Sequence, residues 1–98
     1  MTQITQEEIR DALLSLYEEH EGELISQANK IEKIEKDAII DFEKKIISIK
    51  NKIAEDVTVP DEELEIRYLI EIELAHKAIL KDTKNKIQEL IDKQNPQV

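Results

Sequence analysis

The chain has no cysteine and no tryptophan, and only one glycine, two prolines and three aromatic residues (two Tyr, one Phe) in 98 positions. Each scarcity excludes a class of protein. Without cysteine there are no disulfides and no thiolate metal ligands, a composition compatible with a reducing cytoplasm. A single glycine cannot build the loop that cradles a phosphate. Three aromatics give no platform for stacking bases or sugars. No apolar run reaches the roughly 18 residues of a membrane span, and no basic stretch with an apolar run and cleavage site opens the chain. A soluble, cytoplasmic protein is expected. Ser15, Ser26 and Ser48 have neither a positioned base nor a glycine-rich turn to form an oxyanion hole, so no enzyme is expected and no cofactor is implied.

Positive charge is also short, with 14 Lys and Arg against 23 Asp and Glu and a net charge of −9. That balance argues against nucleic acid as a partner, because phosphate contacts need a basic face. The charges fall in blocks. Residues 1–24 carry seven acids and one base, 25–54 five acids and seven bases, 55–74 eight acids and one base, and 75–98 three acids and five bases.

What the chain does contain is isoleucine, leucine, lysine and glutamate at helical spacing. Thr5 and Glu8 form a capping box that starts a first helix. One apolar row then runs Ile9, Leu13, Leu16, His20, Leu24, Ala28, Ile31, Ile34, Ala38, Phe42, Ile46, Ile49, Ile53. Its period is about 3.67 residues, the spacing of a nearly straight or slightly right-handed bundle and not of a leucine zipper. Pro60 breaks the pattern, and Asp61, Glu62 and Glu63 cap and charge the start of a second helix. The expected fold is all-α: one domain over 1–98, with a first helix over about 6–56, continuous or kinked at Gly22. A turn at 57–60, a second helix over about 61–93 and a frayed tail at 94–98 complete an antiparallel hairpin.

The stretch EELEIRYLIEIEL, residues 62–74, alternates like a β-strand, yet no other segment could pair with it. As a helix it is apolar over most of its circumference, so it needs several neighbours. The lengths add to the need. At 1.5 Å per residue the first helix spans about 75 Å and the second about 50 Å, which leaves the amino-terminal arm without a partner in its own chain. The arm residues Ile9, Leu13, Leu16, Tyr17 and Leu24 and the helix-two residues Ile66, Leu69, Ile70 and Ile72 are therefore the expected interface. A homodimer completing a four-helix bundle, or a higher homo-oligomer, would cover both, as would a helical hetero-partner. The function expected is assembly: a bundle adaptor, stalk or scaffold component.

Two alternatives come from side-chain clusters. Glu73-Leu74-Ala75-His76 is an ExxH pair, whose two side chains share a helix face and could hold a metal with Glu43 or Asp41 across the hairpin. In outline, the order of carboxylate, turn proline and ExxH resembles the half-bundle ferritin-like proteins of the encapsulated kind. That resemblance implies a metal site completed by dimerisation, with Glu43, Glu73 and His76 as its candidates. The competing expectation, adopted here, is no metal and a half-buried His76 hydrogen-bonded within the bundle. His20 on the inner row is read in the same way, as a structural histidine in preference to a pH switch. The second alternative is a small acidic inhibitor in which Glu18, Glu19, Glu21, Glu23 and Asp56, Asp61, Glu62, Glu63 mimic the phosphates of a nucleic acid.

Overall fold

The computed structural model describes residues 3–54 and 60–94. All regular structure among them is helical: α1 (Gln6–Ala12), α2 (Leu14–Glu19), α3 (Glu21–Ile25), α4 (Ala28–Ala54) and α5 (Asp61–Gln94). The strand-like stretch lies inside α5. The tail and the expected turn at 57–60 fall outside the described residues, apart from Pro60 and Gln94.

The two long helices α4 and α5 pack together as the expected antiparallel hairpin. Its register is fixed by the contact of Phe42 with His76, ring centroids 5.8 Å apart and edge-on, and by Lys50 lying over the ring of Tyr68. The same register brings the lysine-rich end of α4 beside the acidic start of α5, as the charge blocks suggest. Ile31, Ala38, Phe42, Ile46 and Ile49 of α4 meet Ile72, Ala75, Ile87 and Ile91 of α5 in one buried cluster.

The first helix departs from expectation. Residues 6–54 do not form one rod, which would be about 74 Å long; the longest dimension of the molecule is 57 Å. Thr5 does cap α1, its hydroxyl accepting from the Glu8 amide at 3.1 Å. The ladder then continues through two local distortions, at Leu13 and His20. Across the first, Leu13 N–H bonds the Ile9 carbonyl and Tyr17 N–H the Leu13 carbonyl; across the second, Leu24 N–H bonds the His20 carbonyl. Together α1, α2 and α3 make an arm. It ends in a two-residue turn at Ser26–Gln27 and folds back, so that Gln6 reaches Glu35, 29 residues away in sequence, at 2.8 Å. The physical reason is the apolar stripe that a straight helix would leave in water. Folding back leaves Ile9, Leu13, Leu16 and Leu24 each less than a tenth exposed, and burying such a side chain is worth about 1.5–3 kcal/mol. That outweighs the few helical hydrogen bonds lost at one turn.

Gly22 neither kinks nor breaks the chain. It sits inside α3 with no positive φ, and a Cβ built there would meet nothing within 4 Å. Because glycine in a helix interior costs conformational entropy that alanine does not, Gly22→Ala should raise stability by about 0.5–1 kcal/mol. Urea unfolding followed by circular dichroism would measure it; a loss of stability would mean that the arm has another conformation at this position.

Candidate functional site

The most unusual residue of the core is a carboxylate. Glu35 is fully buried, on α4 between Ile31 and Ala38, and its charge requires partners because a buried ion without them is costly. The arm supplies all of those seen. Gln6 Nε2 donates to Oε1 at 2.8 Å and Tyr17 Oη donates to Oε2 at 2.9 Å. The Arg10 guanidinium forks across both oxygens, with Nε 3.2 Å from Oε2 and Nη2 3.2 Å from Oε1. Donors from α1 and α2 thus converge on a single α4 side chain. The contact with Glu35 raises the pKa of Arg10, first by hydrogen bonding and then by charge. Burial raises that of the Tyr17 phenol, and the Glu35 charge and hydrogen bond add to the rise. Sequence reasoning missed this site, although Arg10 is the lone base among the seven acids of residues 1–24.

The arm half of the expected interface is therefore used within the chain. Ile9, Leu13, Leu16 and Leu24 are buried and Tyr17 is half-buried against the core. A free arm awaiting a partner is corrected to a docked one. Ile72 is likewise buried, 7% exposed and facing α4. The remaining helix-two residues are in the open: Ile66, Leu69 and Ile70, with Leu74 beyond them, are each exposed by more than half. At spacings of three, four and eight residues from Ile66 they form one stripe on α5. Around it stand Glu62, Glu63, Glu65, Glu71 and Glu73, all exposed. On α4, Ile40 and Ile47 are also exposed, among Lys36, Lys44 and Lys50.

The metal candidates are not brought together within one chain. Glu73 is exposed and paired with Lys77 at 3.3 Å, Glu43 is exposed, and His76 is packed edge-on against Phe42. Among the described residues no group of three His, Cys, Asp or Glu side chains is placed to hold a metal ion. His20 is half-buried, its Nδ1 2.7 Å from Glu23 Oε2 in the next turn. Within the acidic clusters Glu63 is paired with Arg67 at 3.1 Å and Glu23 lies against His20, while Asp56 lies outside the described residues. No helix among the described residues is long and apolar enough to cross a membrane.

Compared with protein-family models, with curated proteins and with solved structures, the chain matches none. Its two distinctive features are thus the arm clasp on Glu35 and the acid-rimmed aliphatic stripe of α5.

Removing Arg10 leaves the Glu35 carboxylate buried with two neutral donors. Arg10→Ala should cost about 2 kcal/mol, less than the 3–5 kcal/mol of a fully desolvated pair because the Arg10 side chain is 55% exposed and solvent-screened. Glu35→Gln, which leaves no buried charge, should cost less than Arg10→Ala in the same urea titration; the reverse order would mean that the carboxylate is not the strained partner. The Tyr17 phenol has a higher pKa folded than unfolded. Its contribution is therefore fully present below the unfolded value of about 10 and is lost as the pH rises beyond it. Stability measured from pH 8 to 11 should fall more steeply in the native chain than in Tyr17→Phe.

Proposed function

We propose that this protein acts by assembly, as a non-enzymatic helical module that docks through the outer face of α5. The observation that carries the reading is the stripe Ile66, Leu69, Ile70 and Leu74, each exposed by more than half on a helix of a protein whose other large aliphatics are mostly enclosed. Single exposed aliphatics need no explanation, but four on one face mark a contact surface. The stripe lies in the half of the hairpin that the arm's contacts with Glu35 do not reach, where no described residue of α5 before Ile72 is buried.

Charge favours a second copy as the occupant. The α5 stripe is rimmed by glutamates, whereas the facing half of α4 carries Lys44, Lys45, Lys50 and Lys52 around the exposed Ile47. Two hairpins brought together so that α5 of each lies beside α4 of the other would complete a four-helix bundle, match signs and cover aliphatic surface on both. A homodimer or higher homo-oligomer follows from this, and a lysine-rimmed helix of another protein would satisfy the same chemistry.

Sedimentation equilibrium at low micromolar concentration tests the reading. The native chain should have the mass of an oligomer, and Leu69→Glu with Ile70→Glu should be monomeric with unchanged helicity. A well-folded native monomer that also binds no lysine-rimmed helix would refute it. Affinity should also weaken between 50 mM and 500 mM salt, because the rim charges are exposed and screened.

A further inference from the structure

We infer that the arm can be exchanged between two copies of this chain, each arm docking on the other's α4–α5 hairpin through the same Glu35 clasp. The inference concerns the arm and its hinge and stands apart from the α5 stripe.

Four observations carry it. The surface that receives an arm is already defined, since it holds this sequence in the folded chain: Gln6, Arg10 and Tyr17 on Glu35, and Ile9, Leu13, Leu16 and Leu24 in the core. An identical arm from a second copy fits it by construction. The hinge is short and chemically ordinary. Ser26 has right-handed helical backbone angles, φ −71° and ψ −14°, and no described residue has a positive φ. Neither glycine nor proline occurs between Glu23 and Ala54. Nothing in the backbone therefore forbids Ser26 and Gln27 from joining α3 to α4 as continuous helix. The apolar row also runs through the hinge without losing phase, Leu24, Ala28 and Ile31 keeping the period of about 3.67 that leads on to Ile53. A helix through residues 26–27 would thus carry the row from Leu24 into the α4 stripe on one side. Finally, the arm sits on the hairpin with hollows at both edges, one of ≈ 250 Å³ beside Tyr17, Leu24, Ile31 and Glu35 and one of ≈ 260 Å³ beside Leu13, Leu16 and Lys84.

The closed and exchanged forms make the same buried contacts and differ only at the hinge. Closed, residues 26–27 turn and the arm lies on its own hairpin. Exchanged, they are helical, the arm extends in line with α4, and it docks on a second hairpin pointing the opposite way. The result is a two-fold rod with two hairpins end to end, about 100 Å long against 57 Å for the folded chain.

A charge swap at the clasp tests this. Two full-length chains are prepared, Arg10→Glu and Glu35→Lys, both also carrying Leu69→Glu so that the α5 stripe cannot join them. Closed, each opposes like charges: in the first chain the introduced glutamate faces the native Glu35, and in the second the introduced lysine faces the native Arg10. In the exchanged heterodimer both clasps are of opposite sign. Equimolar mixing at 100 μM should give a species of twice the monomer mass that contains one copy of each chain, with a longest dimension by small-angle scattering about 1.8 times that of the native monomer. If either chain is unfolded alone, a gain in helicity on mixing supports the exchange equally. Two chains that stay separate, folded or unfolded, overturn it. The native hinge gives a second test in the Leu69→Glu background. Ser26→Ala with Gln27→Ala favours helix at the hinge, and should tighten dimerisation about tenfold. Ala28→Pro fits the first position of α4 but not the interior of a continuous helix, and should abolish it. Insensitivity of the dimer to both hinge variants counts against exchange. Absence of any association in the Leu69→Glu background at 100 μM, well above the low micromolar range in which loss of the α5 stripe leaves a monomer, would overturn it and leave the reading of the α5 stripe intact.

Discussion

One buried carboxylate sets the shape of this molecule. A hairpin of two helices can cover the aliphatics of its seam, but Glu35 stands in that seam between Ile31 and Ala38, and its charge takes its donors from outside the hairpin. The arm provides a guanidinium, an amide and a phenol to the same two oxygens. Hydrophobic burial supplies most of the drive to fold the arm back, but it is non-directional and would tolerate several positions. The carboxylate, with its fixed lone pairs, selects one. A group whose burial is costly thus contributes specificity of docking while the aliphatics around it contribute stability, a division of labour known from other buried polar groups.

The hairpin and the arm answer different demands. Along α4 and α5 the aliphatic seam is continuous from Ile31 to Ile49 and from Ile72 to Ile91, and the charge blocks agree with its direction. In the arm the helices are of five to seven residues, too short to persist without the surface they lie on. Tertiary contact therefore decides the arm's conformation, and local propensity decides that of the long helices.

That division explains how much was legible in the sequence. The cap at Thr5, the antiparallel hairpin, the start of the second helix at Asp61 and the helical nature of residues 62–74 could be read from periodicity, capping and charge. The apolar row from Ile9 to Ile53 was also real, and its members are mostly buried. What the row could not convey was that it folds over on itself at Ser26–Gln27. A stripe with unbroken phase is compatible with one long helix or with two that face each other, and the choice depends on the energy of burying Leu13, Leu16 and Leu24 over a distance. Gly22 drew attention as the lone helix breaker, yet the turn falls four residues later, where the residues are unremarkable. Glu35 was hidden among the many glutamates of the chain. Its position in the core register, four residues after Ile31 and three before Ala38, was the available signal. On α5 the expected interface joined Ile66, Leu69, Ile70 and Ile72; the first three are exposed, whereas Ile72 is buried in the core cluster.

The contact of Phe42 with His76 marks a boundary along the hairpin. On one side lie the arm, the Glu35 clasp and the enclosed residues Thr83, Ile87 and Ile91; on the other, α5 has no buried residue from Asp61 to Glu71. The molecule is thus graded in how deeply α5 is enclosed, while Ile46 and Ile49 of α4 stay buried along the same half. The open aliphatic surface of α5 and the arm clasp are in this way assigned to opposite ends of one pair of helices.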